Sequence, residues 1–223
     1  MRMYLSSYQM GTAPEELRTL MRGRTRSVIV ANALDIYPDP TERGKRVERQ
    51  WRDLKSLGLE AEELDLRDYF GDSGALRDRL AAVDLMWVHG GNSFVLKRAF
   101  EQSGCEGILR ERLEQDTLVY GGFSAALMMV VPTLKGIELC DDPHAVPEGY
   151  APGFSWDGLG LIPYSIAPHF RSEHPETGLI EDVVGFFQAQ GMPYRTLHDG
   201  EAIVLDGDGD RLVGAPTANE ASD

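Results

Sequence analysis

The stretch from Val119 to Val131 places the strongest constraint on how this chain can fold. An apolar run beginning at Thr117 is typical of a buried strand, and two glycines, a serine and then small and apolar residues at helical spacing follow it. A sharp turn from strand to helix exposes the hydroxyl of Ser124 beside the N–H of Ala125 and needs small neighbours. The stretch predicts a nucleophile elbow, although closely packed strand-helix turns without any chemistry share the pattern.

Alternating strands and helices elsewhere in the chain predict the fold class. Strands are expected at 3–7, 27–33, 59–66 and 84–88, and helices near 14, at 39–56 and at 73–82. Because parallel strands need crossover connections, this order favours an α/β fold, a three-layer α/β/α sandwich around a mostly parallel sheet. In such sheets ligands bind beyond the carboxyl ends of the strands.

The charge of the chain limits its partners. Twenty-two basic and thirty-six acidic residues give a net charge of -14, which repels nucleic acids and anionic membrane surfaces. No apolar run is long enough to cross a bilayer, and the polar N-terminus does not resemble a signal peptide. We therefore expect a cytoplasmic protein that binds neither nucleic acid nor membrane.

Length and cysteine content favour one domain without a bound metal. The 223 residues suit a single domain, with a polar tail at 216–223. Cys105 and Cys140 form neither a metal-binding spacing nor a disulfide framework. Neither a complete dinucleotide fingerprint nor a Walker lysine is present, so no cofactor is expected.

A glycine-containing loop follows the predicted strand at 84–88. It contains Gly90 and Gly91, whose N–H groups are unhindered, and Asn92, which can cap the next helix. Unhindered N–H groups at a helix start can stabilise negative charge opposite Ser124. A phosphate-binding turn or a plain helix cap would have the same sequence.

Two further segments supply titratable groups. Asp141 and Asp142 precede Pro143, where paired carboxylates are most often solvated turn residues. His169 lies between Pro168 and a phenylalanine just past an apolar run, where a histidine is often structural. Together with Ser124, however, these residues supply the groups of a serine hydrolase.

Four segments occur in the order and at about the spacing of peptidase family S51, which contains dipeptidase E (aspartyl dipeptidase) and cyanophycinase-like serine hydrolases. They are Gly90-Gly91-Asn92-Ser93-Phe94, Gly122-Phe123-Ser124-Ala125, Asp141-Asp142-Pro143 and Pro168-His169-Phe170. The chain resembles this family over about half its length. The resemblance implies a fold similar to that of class I glutamine amidotransferases.

The resemblance also implies roles for individual residues. Ser124 resembles the nucleophile, His169 the general base and Asp141 the third member of the triad. The acid is assigned to the first of the two neighbouring aspartates because the family's acid lies two places before a proline. The N–H groups of Gly91 and Ala125 resemble the oxyanion hole.

The sequence departs from the family pattern at two places. The family's elbow has glycine where this chain has Ala126, whose methyl group narrows the turn or the pocket. The aspartyl dipeptidases have an arginine on the helix after the histidine, but residues 176–181 contain no basic side chain. Arg171 lies close to the predicted base and, with Asn92, is the expected substrate contact.

These inferences favour a metal-independent serine exopeptidase that cleaves dipeptides or short peptides, including Asp-X dipeptides if Arg171 binds the acidic side chain. Its partner is a small peptide, and a homodimer is possible. The alternatives are an esterase or amidase with the same triad and a catalytically silent binding protein on the same fold.

Overall fold

The computed structural model describes residues 1–37, 39–207 and 209–217. The strands of this part are β1 (Arg2–Ser6), β2 (Arg26–Val30), β3 (Glu60–Glu63), β4 (Leu85–Val88), β5 (Val119–Phe123), β6 (Ser165–Ala167), β7 (Tyr194–Thr196), β8 (Ala202–Asp206) and β9 (Asp210–Val213). The α-helices are α1 (Glu15–Met21), α2 (Pro40–Ser56), α3 (Ser73–Leu80), α4 (Ser93–Ser103), α5 (Cys105–Glu114) and α6 (Thr177–Ala189). Short 3₁₀ helices lie at Asn32–Leu34, Leu66–Tyr69, Ser124–Met129 and Ile137–Leu139.

Within the described residues, seven strands form one sheet in the order β3-β2-β4-β5-β1-β8-β9. The first five of these strands pair in parallel, whereas β8 pairs antiparallel with β1 and β9 pairs antiparallel with β8. Strands β6 and β7 form a separate parallel pair. The predicted α/β class with a mostly parallel central sheet is confirmed.

Side chains alternate between two apolar clusters on the faces of the large sheet. In β1, Met3 and Leu5 belong to the larger cluster, and Tyr4 belongs to the smaller one. The larger cluster contains side chains of α3, α4, α5 and α6, and the smaller one contains side chains of α1 and α2. Helices therefore cover both faces of the sheet, as a three-layer sandwich requires.

Local hydrogen bonds fix where the helices begin. Asp39 caps α2 by accepting from the N–H of Thr41 at 2.8 Å, as its position before Pro40 predicts. The sequence also predicts that Ser73 caps α3, but this prediction is wrong, because Asp72 accepts from the N–H of Ala75 at 3.0 Å and Ser73 is the first helical residue.

Several predicted strands are shorter in the structure. The strand expected at 27–33 ends at Val30, because the Asn32 side chain bonds the carboxylates of Asp35 and Asp65 and the chain turns. The strand expected at 59–66 ends at Glu63. Residues 159–162, also expected to be extended, form no strand, since their N–H groups bond carbonyls of residues 129–131.

Two further predictions concern a membrane-spanning helix and the polar tail. No helix among the described residues combines the length and the apolar character needed to cross a bilayer. Of the tail expected at 216–223, residues 218–223 lie outside the described residues. Thr217 is described, and its N–H donates to the carbonyl of Asp199 at 2.8 Å.

A close approach of β4 and β5 supplies a test of this packing. A methyl group at Gly122 would lie 2.3 Å from the carbonyl oxygen of Val88, whereas one at Gly107 in α5 would meet no atom within 4 Å. We expect Gly122→Ala to lower the free energy of unfolding by about 1 to 3 kcal/mol through overpacking. The control Gly107→Ala should raise it by about 0.5 to 1 kcal/mol, because alanine is the better helix former. Chemical denaturation of both variants measures these changes, and an unchanged Gly122→Ala protein would contradict the packing.

Candidate active site

The candidate nucleophile occupies a strained turn at the carboxyl edge of the large sheet. Ser124 directly follows β5 and has a φ of 54°, a left-handed conformation that is uncommon for residues other than glycine. The preceding Phe123 is extended, so the chain reverses direction at the serine. The helix that follows is 3₁₀ rather than the expected α-helix. This conformation costs about 1 to 3 kcal/mol and persists only where the surroundings enforce it.

The surroundings of Ser124 leave no room for larger residues. A Cβ added to Gly90 would lie 3.0 Å from the Cβ of Ser124, and one added to Gly91 would lie 2.5 Å from the carbonyl oxygen of Ala33. The methyl group of Ala126, where the family has glycine, is accommodated beside Gly122 and is fully buried. It therefore packs inside the turn rather than in the open cleft.

The N–H groups of Gly91 and Ala125 are the two donors expected to form an oxyanion hole. Neither donates to a backbone carbonyl among the described residues. The N–H of Gly91 forms no hydrogen bond among the described residues. The N–H of Ala125 belongs to the first turn of its helix, where N–H groups lack intrahelical acceptors. Gly91 and Ser124 line one open cleft, and Ala125 lines a small cavity next to Ser124.

A chain of buried hydrogen bonds positions the candidate base. Nδ1 of His169 lies 2.7 Å from Oδ1 of Asp199. The hydroxyl of Ser7, just past β1, donates to the same Oδ1 at 2.8 Å and accepts from the backbone N–H of His169 at 2.8 Å. His169 itself has a φ of 59°. Its ring is therefore held at both the backbone and the side chain.

The acid beside His169 differs from the one expected. Asp141 was expected to orient this histidine, but its Oδ2 accepts from the backbone N–H of Ser93 at 2.8 Å. Asp142, the other candidate, is exposed and accepts from the N–H of His144 at 2.8 Å, as a turn residue does. The position at Nδ1 of His169 belongs to Asp199, which sequence reasoning missed.

A pairing of strands brings the base and this acid together. Strands β6 and β7 are parallel, with Ala167 opposite Thr196, so the residues just past both strands meet at one edge. His169 and Asp199 lie two and three residues beyond those positions. The sequence also predicts a strand at 194–197, and the acid shortly after it was the available signal. The sequence alone did not show which strand pairs with β6.

The protonation state of Asp199 follows from its contacts. Burial alone would raise the pKa of this carboxyl, but hydrogen bonds from His169 and Ser7 and the charge of His169 hold the pKa below its ordinary value. An ionised carboxylate only accepts hydrogen bonds, so Nδ1 of His169 carries the proton. In the neutral imidazole, the opposite ring nitrogen, Nε2, is then left as a proton acceptor.

A second histidine stacks on the first. The ring of His174 lies 3.7 Å from that of His169 with an interplanar angle of 10°. Burial and the neighbouring positive charge of His169 lower the pKa of His174. The two histidines and Glu176 have ligand atoms within 4.8 Å of one another. Lone pairs in two stacked, parallel rings do not converge, so one ring would have to rotate before the group could bind a metal ion.

Acidic groups lie on one side of Ser124. A small cavity there is lined by Asp141, Glu176 and His169 as well as by the serine. Burial raises the pKa of Asp141 to about 6, the hydrogen bonds from Ser93 oppose this increase, and the charge of Glu176 adds to it. The two carboxylates make this side of the site negative.

An open cleft of about 330 Å³ lies on the other side of the same serine. It is lined by Ser124, His169 and Glu176, and also by Arg46 and Arg49 of α2. A larger depression of about 500 Å³ near β3 has none of these groups on its walls. The cleft beside the strained serine is therefore the candidate active site, at the sheet edge where α/β proteins bind ligands.

The two expected substrate contacts lie elsewhere. The side chain of Asn92 caps α4, accepting from the N–H groups of Phe94 and Val95, and donates to the carbonyl of Asp142. Arg171 is exposed, stacks over Phe170 and pairs with Glu181. Neither residue lines the cleft, so the expectation that they contact substrate is not supported by their positions.

The chain belongs to peptidase family S51, whose family model matches residues 38–213. The resemblance found in the sequence is thereby confirmed.

Individual relatives agree with this assignment. An uncharacterized peptidase of Listeria monocytogenes is 25% identical over 86% of this chain and 87% of its own length. A Drosophila melanogaster protein named as a probable alpha-aspartyl dipeptidase is 30% identical over 60% of this chain and 55% of its own. The crystal structure of a Listeria monocytogenes protein, provisionally described as a Peptidase E, has the same fold, with a TM-score of 0.75 at 23% identity over 96% of this chain and 98% of that chain.

The raised pKa of Asp141 predicts a pH-dependent stability. A carboxyl whose pKa rises from 3.8 to about 6 on folding holds its proton more tightly in the folded state. Its favourable contribution is complete below about pH 4 and is lost as the pH rises through about 6. Asp141→Asn retains an acceptor for the N–H of Ser93. Between pH 4 and pH 7.5, its free energy of unfolding should therefore rise by about 1 to 3 kcal/mol relative to that of the wild type. Urea unfolding at both values measures the gain, with the exposed Asp142→Asn as control. A fall in the stability of Asp141→Asn relative to the wild type over this pH range would contradict the raised pKa of Asp141.

Proposed function

We propose that this peptidase is a serine exopeptidase that hydrolyses dipeptides or short peptides through Ser124, His169 and Asp199. The observation that carries the proposal is the hydrogen bond of 2.7 Å between His169 and Asp199, in a cleft shared with a strained serine. This set matches the nucleophile, base and orienting acid of a serine hydrolase.

In the proposed reaction, Nε2 of His169 takes the proton of Ser124 as the serine oxygen attacks the peptide carbonyl carbon. The N–H groups of Gly91 and Ala125 stabilise the resulting oxyanion. The histidine then gives its proton to the leaving amine, and a water molecule hydrolyses the acyl-enzyme by the same steps in reverse order. Asp199 fixes the histidine tautomer and stabilises the imidazolium.

The acidic side of the cleft suits the free amino group of a substrate. Asp141 and Glu176 line the cavity behind Ser124. An ammonium group bound there would offset their mutual repulsion and lower the pKa of Asp141 again. In this proposal, Asp141 binds the amino group of the substrate and does not orient the base. Asp199 orients His169 instead.

The dimensions of the cleft favour small substrates. A volume of about 330 Å³ lies near the lower end of the range of about 300 to 1,000 Å³ that is usual for small-molecule sites. A preference for Asp-X dipeptides is not favoured by the positions of basic side chains, since residues 176–181 contain none and Arg171 points to Glu181. We propose that the protein accepts a wider range of N-terminal substrate residues than aspartate alone. The cytoplasmic location and the homodimer stay predictions.

Acetylation of the substrate tests the exopeptidase proposal. A free dipeptide should be hydrolysed at least about a hundredfold faster than its N-acetyl form, because acetylation removes the charge that Asp141 and Glu176 bind. Amino acid release by the wild type measures both rates, and Ser124→Ala serves as the inactive control. Equal rates would replace the exopeptidase with a general amidase or esterase. Hydrolysis by correctly folded Ser124→Ala would exclude the serine mechanism.

A further inference from the structure

Two arginines of α2 stand apart from the other arginines of the chain. Arg46 and Arg49 line the catalytic cleft, and among the residues that the structure describes neither forms an ion pair or a hydrogen bond with a protein group. The neighbouring Arg43 pairs with Asp35 and Glu63. Arg46 stacks over the ring of Tyr37, and the charge of Arg49 acts on Asp53. In a chain with a net charge of -14, two cations three residues apart on one helix face, without an ion pair among the described residues, suggest a ligand that is anionic.

A buried amide beside the arginines points to the same ligand. Gln50 is 1% exposed, and its Oε1 accepts from the indole N–H of Trp87 at 2.9 Å. Because the indole nitrogen only donates, the contact fixes the orientation of the amide. The Nε2 group has no acceptor among the described side chains and carbonyls, and the residue lines the cleft. The Nε2 group is therefore free to donate to an acceptor of a ligand in the cleft.

His89 lines the cleft together with these groups. His89 is buried, and its Nδ1 lies 2.6 Å from the carbonyl oxygen of Gly90, to which it donates. Burial lowers the pKa of His89 to about 4, and the charges of Arg46 and Arg49 act in the same direction. The histidine is therefore neutral near pH 7 and adds no charge of either sign to the side of the cleft that the arginines line.

The order of charges along the site identifies the ligand group. Of these two spaces, Asp141 lines only the small cavity and the arginines line only the open cleft, whereas Ser124, His169 and Glu176 line both. Arg49 also lines a neighbouring depression. The serine thus lies between a negative end and a positive end. A dipeptide is a zwitterion with an ammonium group at one end, a carboxylate at the other and the scissile bond between them.

We propose that Arg46, Arg49 and Gln50 form a subsite for the C-terminal carboxylate of the substrate, which makes the protein selective for peptides with a free C-terminus. The subsite deepens the proposed function and rests on it. The arginines bind the carboxylate through charge-assisted hydrogen bonds, and Gln50 donates one more. The acidic end already holds the ammonium group, so an extended dipeptide places its carboxylate, rather than a side chain of its first residue, at the basic end.

The test compares a dipeptide, alanyl-alanine, with its C-terminal amide. The wild type should hydrolyse the free acid with a kcat/KM at least about tenfold higher, mainly through KM, because two exposed cations contribute at the lower end of the range for such contacts. The double variant Arg46→Gln/Arg49→Gln should lose this preference and hydrolyse the amide as the wild type does. Arg52→Gln is the matched control, since Arg52 is on the same helix, pairs with Glu48 and does not line the cleft.

Binding to Ser124→Ala separates this proposal from the proposed function. Calorimetry should give weaker binding of alanyl-alanine, but not of its amide, when the two arginines are replaced. If no peptide is hydrolysed but this difference persists, the serine exopeptidase fails and the carboxylate subsite stands. If peptides are hydrolysed but acid and amide are treated alike by the wild type, or the preference survives in the double variant, the subsite is wrong and the exopeptidase stands.

A second comparison identifies the source of the carboxylate. Aspartyl-alanine amide and alanyl-alanine amide both lack a C-terminal carboxylate, and only the first has an acidic side chain. The proposal predicts that the double variant changes their kcat/KM values equally. A loss of about tenfold or more confined to aspartyl-alanine amide would overturn the proposal and assign the arginines to the side chain of the first residue.

Discussion

The hydrogen bond between Asp199 and His169 joins parts of the chain that are far apart in sequence, and the geometry of the site depends on it. It connects the segment after β7 to the segment after β6, and Ser7 adds the segment after β1. A buried carboxylate is unfavourable without partners, and removing one partner of such a pair typically costs several kcal/mol. Here the donors are supplied by the imidazole and by a serine hydroxyl. The separate two-stranded sheet and the large sheet are thereby held in one arrangement at the carboxyl edge.

The polarity of the cleft explains how a strongly acidic protein can bind an anionic group. The net charge of -14 repels large polyanions at a distance, but it does not determine the potential inside a cleft. The arginines of α2 lie on one wall, and Asp141 and Glu176 lie behind Ser124. In the proposed binding mode, opposite charges at the two ends would orient a small zwitterion across the serine, and the residues that bind the substrate would also select its length.

Local patterns were sufficient to predict most of the fold. The alternation of apolar strands and amphipathic helices predicted the parallel sheet, and the small residues around Ser124 predicted the sharp turn there. Both features could be predicted because they depend on residues that are neighbours in the sequence. Strand ends were less accurate, since the turn after Val30 depends on bonds from Asn32 to Asp65, a contact between distant residues. The orienting acid was missed for a similar reason. The pairing of β6 with β7 brings Asp199 to His169, and neither strand contains a signal for that pairing.

The central claim is that Asp199, rather than Asp141 or Asp142, orients His169. The most direct measurement is the rate at which a fluorophosphonate modifies Ser124, followed by mass spectrometry of the modified peptide, because this reaction needs no knowledge of the substrate. Asp199→Asn keeps a hydrogen-bonding group but permits the wrong imidazole tautomer, so the account predicts a rate about a thousandfold or more below that of the wild type, with Asp142→Asn unchanged. A wild-type rate in Asp199→Asn, or a larger loss in Asp141→Asn than in Asp199→Asn, would contradict it.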